Sequence, residues 1–402
     1  MRCFPRPDTR PDPIKGRFDA QGRRAPEVPR KSGAHVRPRG HRLKPSPDVI
    51  IAHTQPGLEG VAIREALARF PGVREVGRRS IADRNGMALL GVDRPQALTR
   101  MRCAEDLFAL AAYACPLAAT EEGLEQARKV ARNAPFVETA LARRVALTPG
   151  SRAGRRLGFR VLVRTTGRQE YRRVDLQKAL ERGIAERGDR RWRLEEQGEV
   201  QWWATLLDDE LILAIRLTDD RMRQREYKVA HFPGSLRPSV AAAMALLSQP
   251  TDDDVVLDPL CGAGTILIER AHLGRYRMLL GGDSDPRALA AARDNVGPRY
   301  KPIELREWDA AALPLGDGAV TRIITNLPWG RKSGSHADNV RLYPRLLREF
   351  RRVLAPGGLM VLMTSETRLM RELLEENRIV PSSILTVTVL GTPASIYVCR
   401  FA

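Results

Sequence analysis

The chain has 402 residues, 43% of them hydrophobic, enough for two or three domains with cores of their own. No apolar run approaches the ~20 residues that cross a bilayer, and the N-terminus lacks the apolar stretch of a signal peptide, so no membrane role and a cytoplasmic location are expected. Net charge is +19. Residues 1–47 contribute 13 basic and 4 acidic residues, and the remainder keeps a net +10, so the expected folded part is itself basic. A polyanion is the natural partner, because displaced counterions drive such binding; the alternative is an arginine-rich surface that is merely soluble. Five scattered cysteines without a CxxC, and six histidines without paired spacing, offer no metal motif and fit a reducing compartment.

Residues 1–47, rich in Pro, Arg and Gly, read as a disordered basic tail. Order is expected from Val49-Ile50-Ile51-Ala52. A helical period follows over Gly57–Phe70. Strands are expected at Val73–Ser80 and Met87–Val92 around the Asp83–Gly86 turn, then an apolar run from Met101 to Cys115 ends at Pro116. This order predicts a small α+β, ferredoxin-like module over residues 48–150, with Glu121–Leu147 as helical connecting material. A second small domain is expected over 151–219. Its elements are a strand at Phe159–Thr165, a helix at Val174–Arg187 with Leu176, Leu180 and Ile184 on one face, and a hairpin of Trp202–Leu207 and Leu211–Leu217 across Asp208-Asp209-Glu210.

Over residues 220–402, seven apolar runs alternate with helical patterns: Val255–Asp258, Met278–Asp283, Ile303–Trp308, Ile323–Asn326, Leu359–Thr364, Ile384–Leu390 and Ser395–Phe401. The rhythm predicts a doubly wound α/β sheet. Only Gly391-Thr392-Pro393 separates the last two runs, too little for a parallel crossover, so they must form an antiparallel hairpin. A terminal hairpin on a parallel sheet is the mark of the class I (Rossmann-like) methyltransferase fold. A dinucleotide-binding domain lacks it.

Two segments carry the chemistry. In Asp258-Pro259-Leu260-Cys261-Gly262-Ala263-Gly264-Thr265, the glycines permit a tight turn and close approach of a ligand, and the following helix offers free N–H groups near its start. Asp258 ends the strand where a carboxylate can meet a cationic amine such as that of S-adenosylmethionine. The alternative use of Gly262 and Gly264 is close helix–strand packing. Asp283 ends the next strand, where an acid can accept from both ribose hydroxyls, while Asp285 before Pro286 suits a helix cap. Asp309 can accept from an adenine amine or cap a turn. The second segment is Asn326-Leu327-Pro328-Trp329-Gly330. An aromatic amine is a poor nucleophile because its lone pair is delocalised. The Asn326 side-chain oxygen and the Pro328 carbonyl can accept its two N–H bonds and favour the electron-rich nitrogen, while Trp329 stacks on the flipped base.

Asn326-Leu327-Pro328-Trp329 resembles the Asn-Pro-Pro-Tyr amino-methyltransferases, with Leu327 in place of the commoner proline. Phe159-Arg160-Val161, the Leu206–Asp209 turn and Ile215-Arg216-Leu217-Thr218 resemble the THUMP domain of RNA-modifying enzymes. With His231-Phe232-Pro233-Gly234-Ser235-Leu236-Arg237-Pro238-Ser239, the chain after its tail is similar to the TrmN-like family of THUMP-containing tRNA guanine-N2 methyltransferases. A monomer without a metal is expected. The resemblance implies methylation of guanosine N2 in the tRNA acceptor stem, at position 6. It also implies that the THUMP domain grips the 3′ end, and that Ser235, Leu236 and Pro238 line the cofactor site. Arg160, Arg164, Arg168, Arg172 and Arg173 are candidates for RNA backbone contact or for a solvated face. Three other readings stay open: an N2-guanine methyltransferase of ribosomal RNA or another tRNA position, a non-catalytic RNA-binding protein on this scaffold, and a nicotinamide-dependent oxidoreductase built on Gly262, Gly264 and Asp283. The last leaves the tetrad and the basic region without a role.

Overall fold

The computed structural model describes residues 42–81, 84–148, 150–151, 154–330 and 335–400. The first 41 residues of the expected tail lie outside this range. The folded unit begins at Arg42, earlier than expected, because Leu43 is buried beside Val49 and Ile51.

The first half contains β1 (Val49–Thr54), α1 (Glu59–Arg69), β2 (Arg74–Ile81), β3 (Asn85–Gly91), β4 (Asp106–Ala114), α2 (Glu122–Arg132), α3 (Val137–Leu147), β5 (Arg156–Thr166), α4 (Arg173–Ala185), β6 (Arg191–Leu194), β7 (Val200–Leu207) and β8 (Glu210–Arg216). Its strands form one eight-stranded sheet in the order β2-β3-β1-β4-β8-β7-β5-β6. The modules expected over 48–150 and 151–219 are therefore joined edge to edge, by antiparallel pairing of β4 with β8 from Phe108↔Arg216 to Ala114↔Leu211. Residues 107–112 of β4 are buried on both faces, as suits an interior strand, and β8 pairs with the edge that β1 leaves open. β1 is likewise buried on both faces: Ile50 and Ala52 enter the larger core, Val49 and Ile51 the smaller one with Met87, Leu89 and Phe108.

Two features of this half escape a reading by periodicity. Arg191-Trp192-Arg193-Leu194 is a polar edge strand with only Trp192 buried, held parallel to β5. The expected connecting material is two helices with packing roles. α2 lies against α4, and α3 buries Val137, Ala140 and Leu141.

The short α5 (Arg221–Gln224) and the apolar α6 (Pro238–Leu247) lead into the second sheet. It is built from β9 (Val255–Asp258), α7 (Thr265–Ala271), β10 (Met278–Asp283), α8 (Pro286–Val296), β11 (Ile303–Glu307), β12 (Val320–Asn326), α9 (His336–Val353), β13 (Leu354–Thr364), α10 (Thr367–Glu376), β14 (Pro381–Val389) and β15 (Thr392–Arg400). The order is β11-β10-β9-β12-β13-β15-β14, with the first five strands parallel. β15 runs antiparallel to both β13 and β14, the hairpin the sequence requires. This is the seven-stranded α/β sheet of a class I methyltransferase. Among the described residues no helix is long and apolar enough to cross a membrane.

One carboxylate ties the halves together. Glu269 of α7 is fully buried. It accepts from Arg102 of the first half at 2.8 and 2.9 Å and from the Tyr227 hydroxyl at 2.7 Å, and the Arg225 guanidinium lies 3.5 Å away. Burial and this carboxylate both push the Tyr227 hydroxyl pKa far up, so it stays a donor. Removing one partner of a buried ion pair strands the other. Glu269→Ala should therefore cost about 3–5 kcal/mol in urea unfolding.

Candidate active site at the ends of the parallel strands

The chain leaves β9, winds outward through β10 and β11, then returns to β12 on the other side of β9. The crevice beyond the carboxyl ends of β9 and β12 is thus the switch point where open α/β sheets bind ligands. Asp258 closes β9 there. It is buried, and neither carboxylate oxygen has a hydrogen-bond partner. Burial raises its pKa to about 7, with Asp283 adding to the rise, while the Thr325 hydroxyl and the Leu260 N–H beside it pull the other way. The Thr325 hydroxyl, also buried, stands beside Asp258 without a close hydrogen bond, and the buried Thr265 hydroxyl has no partner. Unmatched acceptors in a closed crevice suit a cationic, hydrogen-bond-donating ligand.

The loop after Asp258 holds its form through two left-handed glycines, Gly262 at φ +52° and Gly264 at φ +75°. Its backbone is pinned across the sheet. Cys261 N–H donates to the Gly282 carbonyl at 2.8 Å, and Gly262 N–H donates to an Asp283 oxygen at 3.0 Å. The other Asp283 oxygen accepts from Asp285 N–H at 3.0 Å. Asp283 therefore shapes the loop at the end of β10. Asp285 caps α8 by accepting from Arg287 N–H, as its place before Pro286 suggests.

Other expected members sit further out. Asp309 is exposed, accepts from Ala311 N–H at 2.9 Å and faces Arg345 at 3.3 Å, which is the turn-capping alternative. Its neighbour Trp308 is the buried residue. The Trp308 indole donates to the Pro259 carbonyl at 3.1 Å and lies so close over Gly282 that a Cβ there would stand 1.9 Å from the ring. Ser235 closes a turn on the Phe232 carbonyl, Leu236 is buried with its carbonyl bonded by Lys228, and Pro238 starts α6, which packs on α7. No hydrogen bond among the described residues links these three to Asp258, Gly262 or Asp283.

At the end of β12 the tetrad is half-buried and internally bonded. The Trp329 indole N–H donates to the Asn326 side-chain oxygen at 3.0 Å. The Pro328 carbonyl already accepts from the Tyr343 hydroxyl and from the Asn339 amide at 3.1 Å. The Pro328 carbonyl, expected to receive the amine, thus already carries two hydrogen bonds from the chain itself. The Leu327 carbonyl, next to Asn326, accepts from no donor among the described residues. Behind Pro328, Tyr343 also shares a hydrogen bond with Thr364 at 2.7 Å, and Asn339 reaches Glu366 at 3.3 Å. Periodicity did not single out these supports, although Asn339 and Tyr343 stand four residues apart on one face of α9. Among the described residues no cluster of His, Cys, Asp and Glu could hold a metal ion.

Residues 225–392 match the model of the RMKL-like methyltransferase domain. Human tRNA (guanine(6)-N(2))-methyltransferase THUMP3 is 35% identical over 217 residues, 50% of this chain and 42% of that protein. This chain thus spans about two fifths of the length of that relative. The tRNA (guanine(6)-N2)-methyltransferase of Thermus thermophilus is 29% identical over 80% of this chain and 91% of its own length. The crystal structure of TrmN from Thermus thermophilus superposes on 88% of this chain and 99% of that one, with a TM-score of 0.70 and 25% identity.

The buried Asp258 has a pH signature. Below about pH 4 it is protonated in both folded and unfolded chains and contributes nothing. Between its ordinary 3.8 and about 7, the unfolded chain ionises and the folded one does not. Stability should fall by up to roughly 4 kcal/mol as pH rises through that window, then level off. Urea unfolding at several pH values should show this descent, and Asp258→Asn should remove it.

Proposed function

Because residues 225–392 carry an RMKL-like methyltransferase domain, we propose that the chain transfers a methyl group from S-adenosylmethionine to the exocyclic N2 amine of a guanosine in RNA, in the tRNA acceptor stem at position 6. One observation carries the reading. A buried carboxylate without partners ends β9, and on the neighbouring strand Asn326 presents an amide oxygen beside a tryptophan. The activity named for the Thermus thermophilus relative, matched along most of both chains, supports the substrate.

The residues present fit the cofactor. Asp258 would hold its amine, Asp283 its ribose, and the Gly262–Gly264 turn leaves space for its approach. S-adenosylmethionine supplies an electrophilic methyl group when bound. Everything else falls to the chain's own groups. The Asn326 side-chain oxygen has a second lone pair beyond the one used by Trp329, and the Leu327 carbonyl lies next in the chain. Together they can accept both N–H bonds of the amine and concentrate charge on its nitrogen. The hydrogen bond from Trp329 fixes the Asn326 amide, so the indole orients the acceptor and offers a face to the base. Asn339, Tyr343 and Thr364 hold the Pro328 turn behind them. No strong general base is required, since the amine becomes acidic once methylated and positioning carries the rate. The region β5–β8 would act as the THUMP module and grip the RNA.

Two measurements test this. With purified protein, labelled S-adenosylmethionine and a tRNA transcript bearing guanosine at position 6, Asn326→Ala should lower turnover about a hundredfold or more, while affinities for RNA and cofactor barely change. Full activity of that variant, or a methyl group mapped by mass spectrometry to adenine or ribose, overturns the mechanism. Calorimetric affinity for S-adenosylhomocysteine should rise about tenfold per pH unit up to about 7 and then level off, because the amine needs the ionised Asp258. Asp258→Asn should flatten that curve.

A further inference from the structure

A cavity of about 190 Å³, whose lining includes none of Asp258, Asp283 and Asn326, lies at the seam between the two sheets. Its walls come from the ends of β1 and β4, from β5 and β7, and from residues 388–391 at the β14–β15 turn. The seam is bonded directly, since Thr388 N–H donates to the Pro56 carbonyl at 3.2 Å. The space holds about six waters at ~30 Å³ each, enough for a hydrated phosphate group.

Four guanidinium groups line it: Arg84, Arg164, Arg223 and Arg237. The two carboxylates present are already engaged. Asp106 is buried and shared between Arg216 at 2.5 Å and Arg223. Glu105 accepts from the Gln55 amide and the Ser239 hydroxyl, each at 2.8 Å, and Arg237 stands off at 3.5 Å. Arg164 has no carboxylate partner among the described residues. It lies 4.8 Å over the Trp203 ring and donates to the Asn85 side-chain oxygen. The Arg164 guanidinium is made a weaker base first by burial and then by Arg84 and Arg223. Buried His53 in the same wall is pushed well below its ordinary range by burial and by Arg164, Arg223 and Arg216, so it stays neutral.

The decisive feature is the sign of the unmet hydrogen bonds. Asn85 is only 5% exposed, and its amide nitrogen has no acceptor. The indole nitrogen of Trp203 and the Nε of Arg237 are also buried without acceptors. Three orphaned donors in a basic cavity call for a group that only accepts and carries negative charge. Of the five arginines suggested for RNA contact, Arg172 is tied to Asp175 and Arg173 points toward Gln177, whereas Arg164 is in this wall.

We infer that this seam cavity is a phosphate pocket that takes one phosphodiester of the RNA substrate, held by Arg84, Arg164, Arg237 and the orphaned donors of Asn85 and Trp203. The inference rests on the RNA substrate proposed above. Since both sheets supply its walls, a phosphate seated there ties the strand to both halves of the protein. It thereby sets the distance between the point where the RNA is gripped and the base that reaches Asn326.

The test reads binding without turnover. Affinity of the full chain for the tRNA transcript is measured against salt, with S-adenosylhomocysteine affinity as the measure of an intact fold. Arg164→Gln should weaken RNA binding at least tenfold at 0.1 M salt and lower the slope of log affinity against log salt by about one, with cofactor affinity unchanged. Arg84→Gln, at an exposed position, should do the same to a smaller degree, and it decides the matter if Arg164→Gln loses the cofactor. Wild-type RNA affinity and slope in the folded variants overturn the pocket. So does tight binding of inorganic phosphate that Arg164→Gln abolishes while RNA binding stays unchanged, which would assign the cavity to free phosphate. Pocket-dependent RNA binding without guanine methylation sinks the proposed function and keeps the pocket. Normal methylation with unaltered RNA binding in the variants does the reverse.

Discussion

The arrangement of the two halves depends on a carboxylate that no water reaches. Glu269 sits on the helix that begins at the glycine loop, and its partners Arg102, Arg225 and Tyr227 come from outside that sheet. Moving such charges out of water is expensive, and their mutual attraction recovers the cost only if the geometry is right. The network therefore selects one docking of the halves more than it adds net stability. Glu65, also buried, extends the clamp by accepting from the backbone N–H groups of Arg102 and Cys103 at 2.6 and 2.8 Å. The segment carrying Arg102 is thus fixed at both ends. The helix after the cofactor loop cannot shift without moving the sheet proposed to hold RNA.

Within that frame, two places gather unmet polar groups of opposite character. At the end of β9 they are the two carboxylate oxygens of Asp258, which when ionised only accept. At the seam they are donors: Asn85, Trp203 and Arg237. A folded chain normally satisfies its buried polar groups, and exceptions of one sign mark a place for a partner of the other. The first set asks for a cation and the second for an anion. The sulfonium cofactor and the RNA strand proposed above would together supply both.

The tetrad shows how support differs from contact. Pro328 turns the chain so that Trp329 reaches back to Asn326, but its carbonyl is consumed by Asn339 and Tyr343. Those two residues hold the turn from below. In the proposed mechanism the base would meet the Asn326 oxygen, the neighbouring Leu327 carbonyl and the indole.

Much of this was legible in the residues alone. The alternation of apolar runs and helical patterns after Thr251, and the three-residue spacer Gly391–Pro393, demanded a parallel sheet ending in a hairpin, because backbone geometry leaves no other connection so short. Asp258, the glycine turn, Asp283 and the tetrad could be singled out as candidates because local backbone needs and acid placement at strand ends are written within a few neighbouring positions. Tertiary structure alone decided the rest. That β4 pairs with β8, merging two expected modules into one sheet, depends on which exposed edges meet, and a strand's own period does not encode its partner. That the Pro328 carbonyl is taken depends on Asn339 and Tyr343, 11 and 15 residues away in the chain. The seam cavity gathers residues from position 53 to position 391, none of them unusual in its own surroundings. Charge and hydrogen-bond balance are sums over whatever the fold brings together, so only the folded chain could show that this place is short of acceptors.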